Sequence, residues 1–126
     1  MDTDQAARKW VATWTSAWPR RDPQPIEALY AEGATYRALA FREPEAASEY
    51  LSRVFAEETD IECRFGEPVV SGQRAAIEWW ASWIEGGRAL TLVGATVLRF
   101  DDEGAIVDHR DYWNDAPGRI APYPGW

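Results

Sequence analysis

The sequence predicts an α+β fold in which three N-terminal helices pack on one strongly curved antiparallel sheet. Apolar residues recur at helical spacing in three segments of the first half, whereas the second half alternates apolar and polar residues. Glycine-containing turns join the extended segments, as hairpins require. Two of those segments run for about a dozen residues, beyond the usual five or six, so the sheet has to curve. Helices on one face of such a sheet enclose a cone-shaped hollow, where we expect the functional site.

The first helix is predicted to begin at a cap provided by Asp2, Thr3 or Asp4. It should end near Trp18, because Pro19 disfavours helical geometry at the residue before it. Three tryptophans follow at intervals of four residues along it: Trp10, Trp14 and Trp18. This spacing places the three indoles on one face of the helix. Such a stripe is more typical of a core than of a cofactor site.

Two shorter helices and one strand are predicted to follow. Asp22 and Pro23 have the pattern of a helix cap and a first-turn proline, so a short second helix is expected from there to about Glu32. The segment 34–41 has the composition of a strand, and Tyr36 lies on its inner face. A third helix is expected from residue 43 to about residue 58.

Four further strands are predicted from residue 60 onward, joined by hairpins. The first begins near Asp60, and a turn at 71–73 leads into the second, at 74–85. Gly86 and Gly87 are a strong two-residue hairpin signal before the third strand, at 88–100. The loop 101–104 ends in glycine and returns the chain into the last strand.

The last strand carries the chemistry that the sequence offers. Side chains alternate between the faces of a strand, so one face is predicted to carry Ala105, Val107, His109, Asp111 and Trp113. His109 is the only histidine of the chain and stands two residues from Asp111. An imidazole and a carboxylate on an otherwise apolar face are suited to acid–base chemistry.

The composition excludes several classes of partner. With 13 Lys and Arg against 21 Asp and Glu, the net charge is −8, so neither nucleic acid nor an anionic membrane surface is an expected partner. The single cysteine, Cys63, cannot form an internal disulfide and fits a reducing cytoplasm, where we expect the protein. One cysteine and one histidine give no zinc-ligand spacing, and we expect no metal or other cofactor. The polar N-terminus is unlike a signal peptide, and no apolar run approaches the roughly 20 residues of a membrane span.

Eight tryptophans in 126 residues are the main anomaly of the composition. Tryptophan combines a large apolar area with one donor, so this number predicts a large aromatic core, a lined cavity, or both. Small residues at positions 38, 81 and 94 stand among the inner aromatic positions, which favours a cavity. The predicted ligand is a small hydrophobic molecule. The residues predicted to contact it are Trp14, Trp79, Trp83, Thr96 and Trp113.

The opposite face of the sheet is also apolar, because it carries Trp80, Ile84 and Tyr112. Such a face needs a cover, and a second copy of the chain would provide one, so we expect a homodimer. Residues 115–126 are expected to form an irregular C-terminal arm beyond a domain of residues 1–114. Tyr123 and Trp126 in this arm could bind a groove, or the arm could be mobile.

Four segments resemble one known superfamily: Trp10–Trp18, Leu29–Tyr36, Phe100–Ile106 and Arg110–Trp113. Over residues 4–114 the chain resembles the nuclear transport factor 2-like superfamily, and most closely its SnoaL-like and limonene-epoxide-hydrolase-like branches. The resemblance implies a cone-shaped fold. Because this cone hosts isomerases, cyclases, hydrolases, dehydratases and non-enzymes, the resemblance does not imply one activity.

The resemblance to the epoxide hydrolases is incomplete at the site. Their first-strand tyrosine, which helps to hold the attacking water, matches Tyr36, and the aspartate that orients their catalytic arginine matches Asp111. Their asparagine is replaced by Ala38, and their Arg-x-Asp pair falls near Trp79 and Ala81. Three polar groups of the water-activating machinery are therefore missing.

The ketosteroid-isomerase pattern is not matched either. Its general base falls at Ala38, its oxyanion tyrosine at Trp14 and its protonated aspartate at Thr96. Polyketide cyclases of the superfamily often use an aspartate or histidine of the pocket, and here His109 and Asp111 could serve.

Three hypotheses therefore remain open. In the first, Asp111 is the base or acid of a cofactor-free cyclisation, isomerisation, dehydration or water addition. His109 is then its partner or a second proton carrier, and Tyr36 donates to a ligand oxygen. In the second, the cone binds a ligand without catalysis. In the third, side chains fill the cone and the domain serves in interactions, with Asp111, His109 and Tyr36 as structural residues.

Overall fold

The computed structural model describes residues 1–125, and these form three helices and seven strands in the predicted α+β arrangement. The helices are α1 (Thr3–Ala17), α2 (Gln24–Glu27) and α3 (Ala47–Glu57). The strands are β1 (Tyr30–Ala38), β2 (Glu45–Ala46), β3 (Glu58–Phe65), β4 (Val69–Ser71), β5 (Arg74–Glu85), β6 (Arg88–Phe100) and β7 (Ile106–Pro117). Within residues 1–125, no helix is both long and apolar enough to cross a bilayer.

The seven strands form one curved sheet in the order β2-β1-β7-β6-β5-β3, with β4 paired to β5. All neighbouring pairs are antiparallel except β1 and β7, which run parallel. The sheet is therefore mixed, although hairpins dominate it as predicted. The parallel pair places Tyr36 beside His109 and Ala38 beside Asp111.

Helix α1 forms as the sequence predicts. Asp2 is its N-cap and accepts a hydrogen bond from the backbone N–H of Gln5, while the Gln5 side chain bonds back to the N–H of Asp2. Trp10, Trp14 and Trp18 are all buried against the sheet. The indole stripe therefore belongs to the wall between helix and sheet.

The boundaries predicted between residues 22 and 47 are wrong. The second helix ends at Glu27, and Tyr30 already begins β1, because the apolar pair at 29–30 fits a strand as well as a helix. Gly33, at φ +78°, lies within β1 beside a register shift. β1 ends at Ala38, and α3 starts only at Ala47 because residues 45–46 pair with β1.

The inner face of β7 differs from the predicted alternation at one point. Arg99 pairs with Asp108 and Phe100 with Ile106, so Val107 is an extra residue on β7. This bulge turns Ile106 inward, where it is fully buried, in place of the predicted Ala105 and Val107. His109 and Asp111 keep the predicted inward orientation and are buried.

The C-terminal segment covers part of the outer face of the sheet. β7 continues to Pro117, three residues past the predicted domain boundary at 114. The Trp80 indole N–H then donates to the carbonyl of Ile120 over 2.9 Å, which leaves Trp80 only 3% exposed. The expectation that Trp80 needs a second copy as its cover is thus corrected, while Tyr112 on the same face stays 45% exposed. The homodimer remains a prediction, and Trp126 lies outside the described residues.

Candidate functional site

The helices and the inner face of the sheet enclose a cavity of about 350 Å³. Ten aromatic side chains from the helices and the sheet line it: Trp10, Trp14, Trp18, Tyr36, Tyr50, Phe55, Phe65, Trp79, Trp83 and Trp113. Every residue that the sequence nominated for the site lies in this wall, including Thr96, His109 and Asp111. The structure thus brings the eight nominated residues to one cavity, and their functional roles remain predictions.

Asp111 is held by two short hydrogen bonds on one carboxylate oxygen. The hydroxyl of Thr96 donates to Oδ1 over 2.6 Å, and Nε2 of His109 lies 2.7 Å from the same atom. Thr96 is the cross-strand partner of Asp111 on β6, so the register of the β6–β7 hairpin fixes this contact. Asp111 is buried yet lines the cavity.

His109 is engaged through both ring nitrogens. Its Nδ1 lies 2.7 Å from the hydroxyl of Tyr30, and that hydroxyl accepts the indole N–H of Trp10 over 3.2 Å. With a carboxylate at Asp111, which can only accept, these contacts fit a His109 that donates from Nε2 and accepts the proton of Tyr30 at Nδ1. We therefore expect the Nε2–H tautomer of His109, which is 1% exposed.

Two chains of donors thus converge on Oδ1 of Asp111. One chain runs through Tyr30 and His109, and the other begins at the Trp79 indole, which donates to Thr96 over 2.8 Å. Thr96 uses its single proton for Asp111 while it accepts from Trp79. Charge-assisted hydrogen bonds of this kind hold a carboxylate in a fixed position away from water.

Tyr36 stacks between two rings beside this network. Its ring centroid lies 3.7 Å from that of His109 and 4.0 Å from that of Tyr50, with interplanar angles of 18° and 20°. Burial, followed by the negative charge of Asp111, raises the pKa of the Tyr36 hydroxyl well above its usual value. Tyr36 therefore keeps its proton and can only donate or accept hydrogen bonds.

Gly94 allows a close approach of strands and does not itself open the cavity. A Cβ atom added there would stand 2.1 Å from the carbonyl oxygen of Tyr112 and 2.7 Å from Cβ of Trp113. The sequence-based argument that Gly94 makes room for a ligand is thus replaced by a packing role. The absence of its side chain brings Trp113 into the wall.

Sequence reasoning missed three residues of the site. Tyr30 was assigned to a helix, although its hydroxyl contacts His109. Tyr50 is buried on α3 and stacks on Tyr36, and it was not singled out from the sequence. Glu58 follows Glu57 at the end of α3, and an acidic pair there has the pattern of a solvated surface.

Glu58 is a second buried carboxyl in the cavity wall. It is 5% exposed, and its Oε1 accepts the indole N–H of Trp18 over 2.7 Å. Burial raises the pKa of Glu58 to about 7, and the like charges of Glu85 and Glu57 act in the same direction. The indole of Trp18 and the charge of Arg21 act against this rise.

A family model for the SnoaL-like domain matches residues 7–109. The chain belongs to the SnoaL-like domain family. The match includes most of α1, all of β1 and the first third of β7, and so it includes His109 but ends two residues before Asp111. No curated protein matches this chain.

Solved structures with the same fold include enzymes and a ligand complex. An epoxide hydrolase of Mycobacterium tuberculosis, described as limonene-epoxide-hydrolase-like, is 17% identical over 90% of this chain and 86% of its own, with a TM-score of 0.72. The epoxide hydrolase/cyclase-like enzyme SalBIII, of pyran ring formation in salinomycin, is 19% identical over 90% and 95%, with a TM-score of 0.74. A hypothetical protein of Catenulispora acidiphila with a ketosteroid-isomerase-like fold, in complex with trimethylamine, is 23% identical over 82% of this chain and 83% of its own, with a TM-score of 0.71. At these identities the likeness shows the fold.

Proposed function

We propose that this SnoaL-like protein binds a small, largely hydrophobic molecule in its cavity and acts on it by cofactor-free proton transfer. The reaction classes are cyclisation, isomerisation, dehydration and water addition. Asp111 is the base or acid. The observation that carries the proposal is the convergence of two donor chains on Oδ1 of Asp111 inside an aromatic cavity.

The hydrogen bonds of Asp111 distinguish its two carboxylate oxygens. Thr96 and His109 both bond Oδ1, and the Tyr36 hydroxyl also interacts with the carboxylate, so we assign proton exchange with a ligand to Oδ2. A carboxylate fixed by preorganised donors needs no reorganisation when the proton moves. In this proposal His109 orients the carboxylate and stabilises its charge through Nε2–H. Tyr36, which lines the cavity and interacts with Asp111, donates to a ligand oxygen when a ligand is bound.

The solved structures of the same fold support this range of chemistry. One is an epoxide hydrolase and another an epoxide hydrolase/cyclase-like enzyme, whereas the Catenulispora protein binds trimethylamine. Small molecules are therefore bound and transformed on this fold. The cavity of about 350 Å³ is large enough for a ligand of several carbon atoms.

Asp111→Asn tests the proposal, because it keeps the size of the side chain and removes its basicity. Two probes cover the reaction classes: cyclohexene oxide for water addition and 3-cyclohexenone for isomerisation to the conjugated ketone. We expect turnover of at least one probe, measured by gas chromatography and absorbance, and a loss of about 100-fold or more in Asp111→Asn.

Asp108→Asn is the matched control. Asp108 lies on the same strand, but it bonds Thr35 and Arg110 away from the cavity, so turnover should persist. Turnover that survives Asp111→Asn would contradict the assignment. A thermal midpoint that falls strongly in Asp111→Asn, while Asp108→Asn and wild type agree, would instead mark Asp111 as structural.

Binding without catalysis is a second candidate function, and the engagement of His109 favours it. Because both ring nitrogens of this buried histidine have partners, His109 cannot exchange a proton with a ligand directly. Native mass spectrometry of the protein incubated with cell extract discriminates the two. A ligand recovered chemically unchanged, together with no turnover of either probe, would favour the binding function.

A further inference from the structure

We propose that Glu58 is the second proton-exchanging residue of the cavity, and that its protonated form donates a hydrogen bond to an oxygen atom of a neutral ligand. The ligand then carries an oxygen acceptor, such as a ketone, ether or epoxide oxygen, besides the group that meets Asp111. This inference rests on the proposed function in so far as the cavity takes up a small molecule.

Glu58 and Asp111 occupy different ends of the cavity. Glu58 begins β3 and pairs with Glu85, at the end of β5. Asp111 pairs with Thr96, which in turn pairs with Ile77 near the beginning of β5. Both carboxyls nonetheless line the same cavity. A ligand that fills it therefore meets one carboxyl at each end.

The indoles of α1 and β5 connect the two ends. Trp18 donates to Glu58, Trp79 donates to Thr96, and the two indoles pack edge to face with ring centroids 6.3 Å apart. Trp18 therefore bonds Glu58 directly, and Trp79 is linked to Asp111 through Thr96. The ligand lies against aromatic surface between the two polar ends.

The environments of the two carboxyls differ. Asp111 receives two donors on one oxygen, whereas Glu58 receives the single neutral donor of Trp18 on Oε1. A buried carboxylate with so little compensation favours its neutral form, and the raised pKa of Glu58 agrees with this. Two carboxyls of one site held in unlike environments are the usual arrangement of an acid and a base.

Charged and polar groups from three elements face Glu58. They are Trp18 from α1, Arg21 from the following turn, Tyr50 and Glu57 from α3, and Glu85 from β5. The guanidinium of Arg21 donates to backbone carbonyls at the end of α3, so its charge is directed mainly to that helix end. The two glutamates favour the proton on Glu58, and the hydrogen-bonded indole opposes it.

The protonated carboxyl of Glu58 has an O–H group that can donate one hydrogen bond. Oε1 already accepts from Trp18, so we assign the O–H of the neutral form to Oε2, from which it can donate to an acceptor of a ligand in the cavity that Glu58 lines. An acceptor there stabilises the protonated form. Ligand binding and proton uptake by Glu58 are therefore linked.

A pair of probes of equal shape tests this link: cyclohexanone, which has the acceptor, and methylenecyclohexane, which lacks it. The Glu58 carboxyl is followed by NMR in protein carrying ¹³C-labelled glutamate, with its signal assigned by its loss in Glu58→Gln. We expect cyclohexanone to raise the titration midpoint of Glu58 and methylenecyclohexane to leave it unchanged.

Affinity measured by tryptophan fluorescence gives the second readout. Between pH 5.5 and pH 8.5 the protonated fraction falls about 30-fold, so the affinity for cyclohexanone should weaken by up to that factor. Glu58→Gln keeps an N–H donor, so it should bind cyclohexanone with the affinity of the acidic wild type at every pH. Glu49→Gln on the outer side of α3 is the matched control and should retain the wild-type pH dependence.

Three outcomes would overturn the inference. Cyclohexanone that binds without any pH dependence would remove Glu58 from the site while the proposed binding function stands. Tetramethylammonium that binds more tightly as the pH rises, and is lost in Glu58→Gln, would make Glu58 a counter-ion and not a donor. No binding of either cyclic probe at any pH would contradict this inference and the proposed function together.

Discussion

His109 is a convenient spectroscopic probe of the site, because it is the single histidine of the chain. Its contact with Asp111 could be predicted, since residues two apart on a strand share a face. The contact with Tyr30 could not, because it depends on β1 and β7 running side by side. Partners at both ring nitrogens lead us to expect the Nε2–H tautomer of His109.

Tyr30→Phe should remove the donor to Nδ1 of His109 and the acceptor of the Trp10 indole. Two buried polar atoms then lose their partner, at a cost of about 1–3 kcal/mol in the free energy of unfolding. Urea denaturation measures this loss. In ¹⁵N spectra of the wild type we expect a protonated Nε2 and an unprotonated Nδ1, with the Nδ1 resonance moving in the variant.

Tyr50→Phe is the control for this substitution. Tyr50 stacks on Tyr36 and lines the same cavity, but it forms no hydrogen bond with His109 within residues 1–125. Loss of the Tyr50 hydroxyl should therefore leave the Nδ1 resonance of His109 unchanged. A wild-type spectrum with the proton on Nδ1, or one unaffected by Tyr30→Phe, would refute the assigned network.

At the scale of elements, the β6–β7 hairpin places the carboxylate, and Gly94 controls how closely its strands approach. Gly94→Ala would drive a methyl group into the backbone of Tyr112, so the strands must separate near Trp113. We expect a loss of about 1–3 kcal/mol in the free energy of unfolding, the usual cost of overpacking. A weakened donor chain to Asp111 should follow, since Thr96 lies two residues away on β6.

Gly33→Ala separates this effect from backbone strain. Gly33 has φ +78° with nothing within 4 Å of an added Cβ, so the variant should show only the cost of left-handed geometry, about 1–2 kcal/mol. Thermal unfolding of both variants compares the two losses of stability. A Gly94→Ala protein as stable as wild type would show that β6 and β7 can move apart freely.

The hairpins were the elements that sequence predicted best. Gly86 and Gly87, and the loop ending at Gly104, fix the turns by local chemistry, and β5 and β6 have the predicted bounds. The segment between α2 and α3 was predicted worst, because β2 pairs with β1 and tertiary pairing decides its structure. The bulge at Val107 could not be predicted from the alternation of apolar and polar residues, because Ile106 and Val107 are both apolar.

At the scale of the whole molecule, the cone and the convergence of residues on it followed from sequence, whereas burial of a given carboxyl did not. Asp111 lay on an apolar face and could be nominated. Glu58 follows another glutamate at a helix end, and its burial beside the indole of Trp18, at the end of α1, depends on tertiary packing that the local pattern does not show. The cover of Trp80 on the outer face could not be predicted for the same reason, since it depends on the return of Ile120 to the sheet.

Burial of Glu58 should make the stability of the whole domain depend on pH. The pKa of Glu58 rises from 4.5 to about 7 on folding, so between these values the folded state binds the proton that the unfolded chain has lost. Stability from this group is fully present below pH 4.5 and is lost as the pH rises to about 7. At about 1.4 kcal/mol per tenfold change, ionising Glu58 costs on the order of 3 kcal/mol.

Urea unfolding of wild type and Glu58→Gln at pH 5 and pH 8 isolates this contribution. The net charge of −8 and the other carboxyls act on both proteins alike, so the difference between them reports on Glu58. We expect the wild type to lose about 2 kcal/mol more than the variant between the two pH values, because glutamine has no proton to release. An equal change in the free energy of unfolding in both proteins would contradict this prediction. It would show that the Glu58 carboxylate is as well solvated in the folded protein as in the unfolded chain, despite its burial beside Trp18.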